Sequence, residues 1–142
     1  MKSKIFRSAF AVAALVMTGT AAFADMVMFK ADLKGATEMP AVESKGTGSV
    51  AATLDTVTKK LSWTITYSDL SGAAIAAHFH GPAGPNAAAP PVVPLSGDLK
   101  SPIKGEATLT DAQIQDLQGG MWYFNIHTPD HKGGEVRGQL MK

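Results

Sequence analysis

The chain of 142 residues contains no cysteine. This absence excludes disulfide bonds, thiolate zinc sites, iron–sulfur clusters and cysteine nucleophiles. The chain also has no large excess of charge of one sign, since it contains 13 Lys and Arg residues and 12 Asp and Glu residues. No basic patch for nucleic acid is visible, so we expect no nucleic-acid partner. Imidazole is then the obvious side chain for binding a borderline or soft metal ion.

Residues 1–24 have the pattern of a secretory signal peptide. Basic residues precede an apolar run over Ala9–Val16, and the small residues Ala22 and Ala24 form a cleavage site. The apolar run is shorter than the span of about 20 residues that a membrane anchor needs. We therefore predict a periplasmic or secreted domain over residues 25–142, with no membrane association after cleavage. This remainder carries 10 basic and 12 acidic residues, because three of the basic residues belong to the signal.

The predicted domain has mostly β-type patterning. In Lys60–Tyr67, for example, apolar and hydroxyl residues alternate with period two, which is typical of a strand with one buried and one wet face. Thr110 and Gln113 have the spacing of a capping box, which predicts a short helix over Asp111–Leu117. The predicted fold is an all-β antiparallel Greek-key sandwich or flattened barrel of about eight strands with one short helical connection. The predicted strands are Met26–Lys34, Gly48–Leu54, Lys60–Tyr67, Ala73–His80, Val92–Leu99, Ile103–Leu109, Met121–Thr128 and Glu135–Met141.

All four histidines lie in two short segments. His78 and His80 are two residues apart, so a strand would point both imidazoles to one face, roughly 6.5–7 Å apart. A third imidazole, from His127 on another predicted strand, would complete a small nitrogen-ligand site for a transition metal. Solvated strand histidines are the alternative interpretation of this pattern. His131 lies in a Pro-Asp-His-Lys-Gly-Gly segment, and we interpret it as a loop histidine rather than a ligand.

Strand alternation also predicts where these side chains point. His78 and His80 lie opposite the bulky Phe79, which favours the face away from the core. By the same alternation His127 lies on the non-core face, and Arg137 can converge with the histidines there. The alternative role for Arg137 is a strand arginine paired with a nearby carboxylate. The methionines Met26, Met28 and Met39 could be soft copper ligands, although packing explains a Met-x-Met strand more simply.

These segments resemble the CHRD domain, which is repeated in chordin and occurs singly in secreted bacterial proteins. The resemblance spans essentially the whole predicted domain. The family pattern covers His78, His80, His127, Glu135, Arg137 and Gly138. In chordin the modules belong to a binder of growth factors, which implies a protein-binding function. The matching stretches are Leu33–Val42, Gly46–Ser49, Ala77–Ala83, Tyr123–Thr128 and Glu135–Gln139.

The chain also has a looser resemblance to copper-zinc superoxide dismutases. Those Greek-key barrels carry a His-x-His pair, a later copper-binding histidine and an arginine near the C-terminus that guides superoxide. His78, His80, His127 and Arg137 recur here in that order. The resemblance implies one copper ion, with zinc less favoured, and superoxide as a small anionic partner. The disulfide cysteines are absent, and the bridging histidine and zinc cluster of that family have no clear counterpart.

Three functional hypotheses follow. The first is a periplasmic copper protein with superoxide dismutase-like activity, in which His78, His80 and His127 hold the metal and Arg137 attracts the anion. The second is a periplasmic copper carrier or buffer that needs the same histidines without Arg137. The third is a metal-free module whose polar face and apolar loop Ala87–Val93 bind a protein partner.

Overall fold

The computed structural model describes residues 19–21 and 23–142. The predicted signal segment lies almost entirely outside these residues and stays a prediction. Within these residues, one α-helix, α1 (Asp111–Gln118), and a 3-10 turn at Gly35–Thr37 accompany eight strands. The strands are β1 (Met26–Lys34), β2 (Thr47–Asp55), β3 (Lys60–Ser68), β4 (Ala76–His80), β5 (Pro91–Pro94), β6 (Ile103–Thr108), β7 (Tyr123–His127) and β8 (Val136–Gln139).

The eight strands form one antiparallel sheet in the order β5-β4-β7-β8-β1-β2-β3-β6. The sheet curls until it is a nearly closed barrel. Trp63 on β3 packs edge-on against Phe79 on β4, with ring centroids 5.1 Å apart, although their strands belong to opposite halves of the sheet. The pairings of strands that are distant in sequence, such as β3 with β6 and β4 with β7, produce Greek-key connections. The predicted all-β architecture is confirmed.

Period-two alternation builds the interior of the barrel. On β3, Leu61, Trp63 and Ile65 are buried while the intervening polar residues face outward. Full burial of such side chains contributes roughly 1.5–3 kcal/mol each. Gly105 on the neighbouring β6 leaves room for the indole of Trp63, because a Cβ there would lie 2.7 Å from that ring. The core is therefore continuous from the β2–β3 hairpin to the strands that carry the histidines.

The helix α1 begins with the predicted capping box. Thr110 Oγ1 accepts from the Gln113 backbone N–H at 3.2 Å, and Gln113 Oε1 accepts from the Thr110 N–H at 2.9 Å. The buried Leu117 attaches the helix to the barrel. The helix thus fixes the entry of the chain into β7, which carries His127. Among the described residues, no helix is long and apolar enough to cross a membrane.

The strands next to the site are shorter than the sequence predicts. The predicted strand Ala73–His80 pairs only from Ala76, and Val92–Leu99 is replaced by Pro91–Pro94. Proline has no N–H for a ladder, which confines β5 to the edge of the sheet. The chain between β4 and β5 is consequently free to fold over the outer face of β4 and β7.

Candidate metal centre

The outer face of β4, β7 and β8 is a second buried layer rather than a wet surface. Phe79, Phe124 and Ile126 point into the core, as alternation predicts. The opposite face carries His80, Asn125 and Arg137, which are only 7%, 4% and 2% exposed. Backbone carbonyls of segment 81–90 bind His80 and Arg137, and the Lys132 carbonyl of segment 128–135 binds His127. Polar groups in such a layer must find partners, because an unpaired buried polar group is costly.

Three histidines converge in this layer. His78 Nδ1 lies 3.1 Å from His127 Nε2, and the His78 and His80 ring centroids are 5.3 Å apart. Each of the three offers one nitrogen, and these nitrogens all lie within 4.8 Å of one another. The structure therefore brings together the residues that the sequence predicts as ligands. His131 lies elsewhere, on a surface cavity that it shares with Asp69 and Glu135.

Backbone carbonyls orient two of the three imidazoles. His80 Nδ1 lies 2.9 Å from the Ala89 carbonyl oxygen, and His127 Nδ1 lies 2.8 Å from that of Lys132. A carbonyl only accepts, so in each neutral ring the proton sits on Nδ1 and the lone pair on Nε2. Both Nε2 atoms face the centre of the cluster. Such outer contacts fix the tautomer of metal-binding histidines.

The side-chain oxygen of Asn125 faces the same centre. Asn125 Oδ1 lies 2.9 Å from His80 Nε2 and 3.0 Å from His127 Nε2. With both rings neutral, three lone-pair donors meet there, and only His78 can supply a proton, to His127. A cation would satisfy this surplus of lone pairs. The donor set therefore fits a metal ion.

The surroundings of the histidines favour their neutral form, which is the form that binds metal. Burial lowers the pKa of His78, and the neighbouring His127 and His80 lower it further. Burial also lowers the pKa of His80, with help from His127 and Arg137, against the opposing hydrogen bonds to Ala89 and Asn125. Protons thus compete weakly for these nitrogens.

Arg137 lies close to the site but is enclosed. Its Nη2 donates to the Ala87 carbonyl at 2.6 Å, and its guanidinium carbon lies 3.5 Å from the centroid of the Tyr123 ring. The Tyr123 ring also stacks on His80, with centroids 4.6 Å apart and planes 6° from parallel. Tyr123 therefore connects the cation to a candidate ligand. A role of Arg137 in attracting an anion stays a prediction.

Glu38 is a buried group that the sequence analysis missed. Its side chain is 6% exposed, and its Oε1 atom has no hydrogen-bond partner among the described residues. Burial raises its pKa to about 7, against the opposing effects of Arg137, the Asn125 side chain and the Met39 backbone N–H. With Arg137 it lines a cavity of about 220 Å³. Its signals in the sequence are a carboxylate in the otherwise uncharged segment Gly35–Val42 and its place in the family-like stretch Leu33–Val42.

The methionines weighed as soft ligands are not part of the cluster. Met26 and Met28 are exposed on β1, which β8 separates from β7. Met39 is 47% exposed and borders the cavity beside Glu38. The histidine cluster is thus built from nitrogen and oxygen donors.

The sequence pattern of the CHRD domain matches residues 29–140, which is most of the chain. The chain belongs to the CHRD family. The match includes every residue of the histidine layer and Glu38. No curated protein and no solved structure shows a significant match. The family assignment from the sequence is therefore confirmed, and the chemistry of this CHRD domain has to be argued from its own site.

Proposed function

We propose that this CHRD domain binds one copper ion in the periplasm through His78, His80 and His127. The observation that carries the proposal is the surplus of lone pairs at the centre of the cluster. Two rings are held by backbone carbonyls so that their Nε2 atoms face one region, together with an amide oxygen. The predicted signal peptide supports the compartment, since secretion would follow from residues 1–24.

Ligand chemistry favours copper over the other transition metals. Imidazole binds copper, zinc and nickel, and the divalent affinity order places Cu²⁺ above both of the others. The chain has no thiolate that would select zinc. Copper exchanges single electrons, which is the chemistry it would supply when bound. The protein contributes neutral, pre-oriented nitrogens and a layer largely shielded from water.

The proposal is tested by titrating the purified protein with Cu²⁺ and recording the electron paramagnetic resonance spectrum. We expect one equivalent of copper with nitrogen hyperfine structure. His78→Ala, His80→Ala and His127→Ala should each weaken binding by about 100-fold or more, since even the loss of a residue that only hydrogen-bonds to a ligand costs about 10–100-fold. His131→Ala is the matched control and should bind like the wild type. A wild type that takes up no copper would refute the proposal and favour the metal-free binding module.

Superoxide dismutase-like activity is a second candidate function, because small molecules can reach the histidine cluster from solvent. His78 and His127 are only half-buried, so a small molecule can approach their side of the cluster. The Arg137 guanidinium is a fixed positive charge, separated from His80 by the Tyr123 ring. Such a charge attracts small anions, and salt weakens the attraction, because the Debye length is about 8 Å at physiological ionic strength.

A superoxide decay assay on the copper-loaded protein separates the enzyme from the carrier. We expect salt-sensitive decay in the wild type. Arg137→Gln removes the charge, and it should slow the decay and flatten the salt dependence. Stoichiometric copper without accelerated decay would assign the protein as a carrier or buffer.

A further inference from the structure

The burial and the contacts of Asn125 hold its side chain in one position beside the histidines. It lies in the middle of β7, directly opposite His78 on β4 and Arg137 on β8. Its side chain is almost fully buried, and its Oδ1 contacts the Nε2 atoms of both His80 and His127. Those atoms carry lone pairs, so the amide oxygen receives no hydrogen bond from the neutral rings. Its inward orientation must be imposed from the other end of the amide.

Glu38 is the group at that other end. The Asn125 side chain lies close enough to the Glu38 carboxyl to lower its pKa. Gly134 makes the approach possible, because a Cβ at this position would lie 2.7 Å from Asn125 Nδ2 and closer still to Glu38 Oε1. A flipped amide would put its oxygen against the carboxylate and its NH₂ against the imidazole lone pairs. Glu38 therefore selects the orientation with the oxygen inward.

We propose that Asn125 Oδ1 is a fourth donor to the metal ion bound by the three histidines, and that Glu38 is the positioning residue that turns this oxygen toward the site. This inference rests on the proposed copper binding and adds an oxygen to its ligand set. An amide oxygen is neutral, and nitrogen and oxygen donors together suit Cu²⁺. If the amide were free to turn, its NH₂ group could hydrogen-bond the Nε2 atoms and compete with the metal.

The test compares two substitutions at Asn125 by Cu²⁺ affinity and by the electron paramagnetic resonance spectrum. Asn125→Leu keeps the approximate volume but removes the oxygen. We expect binding about 10–100-fold weaker and a shifted spectrum that retains nitrogen hyperfine structure. Asn125→Asp keeps an oxygen and adds charge. It should bind at least as tightly as the wild type, with a spectrum changed by the carboxylate.

Glu38 is tested through the same two readouts. Glu38→Met removes the acceptor at similar size and should weaken copper binding several-fold and alter the spectrum. Glu38→Gln restores an acceptor oxygen and should recover the wild-type spectrum. Ser44→Ala is the control, because it removes a partly buried hydroxyl away from the cluster. It should change neither affinity nor spectrum, and circular dichroism verifies that each variant is folded.

Two results would overturn the inference while leaving copper binding intact. The first is Asn125→Leu with the affinity and spectrum of the wild type. The second, which serves if the leucine variant does not fold, is Asn125→Asp with an unchanged spectrum, because a donor that gains a charge must alter the ligand field. Absence of copper binding by the wild type is a different failure, which removes the proposed function itself.

Discussion

Two buried carboxylates, Glu38 and Glu135, have opposite properties. Glu135 is fully buried and accepts four hydrogen bonds, from the Ser44, Ser71 and Thr128 hydroxyls and the Ser71 N–H, at 2.6–2.8 Å. Burial alone would raise its pKa, but these bonds outweigh burial and lower it to about 2. Glu38 is nearly as buried, yet burial prevails and raises its pKa to about 7.

The difference shows that hydrogen-bond supply, acting against burial, helps to separate a structural carboxylate from a functional candidate. Glu135 is ionised and saturated, and it connects the segments that carry Ser44, Ser71 and Thr128. Glu38 has an oxygen with no hydrogen-bond partner in the described part of the chain and lies beside the histidine layer. Buried polar groups that are left unsatisfied are rare and call for an explanation such as a ligand or a catalytic role. The comparison therefore supports a role in stability for Glu135 and the proposed role at the metal site for Glu38.

Removal of the Glu135 carboxylate should have the largest effect on stability. Glu135→Ala leaves several donors without an acceptor in a buried position, so we expect a loss of about 3–5 kcal/mol in the free energy of unfolding. Urea denaturation at pH 7 measures it. Glu43→Ala, at an exposed carboxylate in the neighbouring segment, is the control and should stay within about 0.5 kcal/mol of the wild type. Equal losses in both variants would contradict the structural role of Glu135.

Glu135 and His127 show where prediction from the sequence succeeds. The family pattern includes Glu135, and alternation places His127 on the non-core face, where it meets the other two histidines. Strand geometry has a period of two, so a strand residue's face can be read from its neighbours. The converging histidines follow from that rule together with the pairing of β4 and β7.

The contacts of Glu38 could not be predicted in this way. Glu38 follows a 3-10 turn and reaches Asn125 only because the chain folds back over the outer face of the sheet. Irregular segments have no side-chain period, so the sequence does not say which way they point. For the same reason alternation could place Arg137 on the correct face but could not predict its enclosure by the carbonyl of Ala87.

Stability should depend on pH with opposite signs at the two carboxylates. Glu135 has a lowered pKa in the folded state, so its contribution is complete above about pH 4.5 and is lost as pH falls toward 2. Glu38 has a raised pKa, so stability falls as pH rises from about 4.5 through 7. In metal-free protein, Glu38→Gln should be about 1–3 kcal/mol more stable than the wild type at pH 8 and equal to it near pH 4. Parallel urea-denaturation profiles of the two proteins across this range would contradict the prediction.

Arg137→Gln should have the smallest effect on stability, and it should change the pKa of only one of the two carboxylates. The Arg137 guanidinium lowers the pKa of Glu38, so its removal should raise that pKa further above 7. The pKa of Glu135 should not move, because the hydroxyls of Ser44, Ser71 and Thr128 lower it and none of them changes. The loss of the hydrogen bond to the Ala87 carbonyl should cost about 1 kcal/mol in the free energy of unfolding. Carbon-13 shifts of the two carboxyl groups, followed through a pH titration of metal-free protein, measure both pKa values. A shift at Glu135 equal to that at Glu38 would mean that the two carboxylates respond to a common change in the fold rather than to their own neighbours.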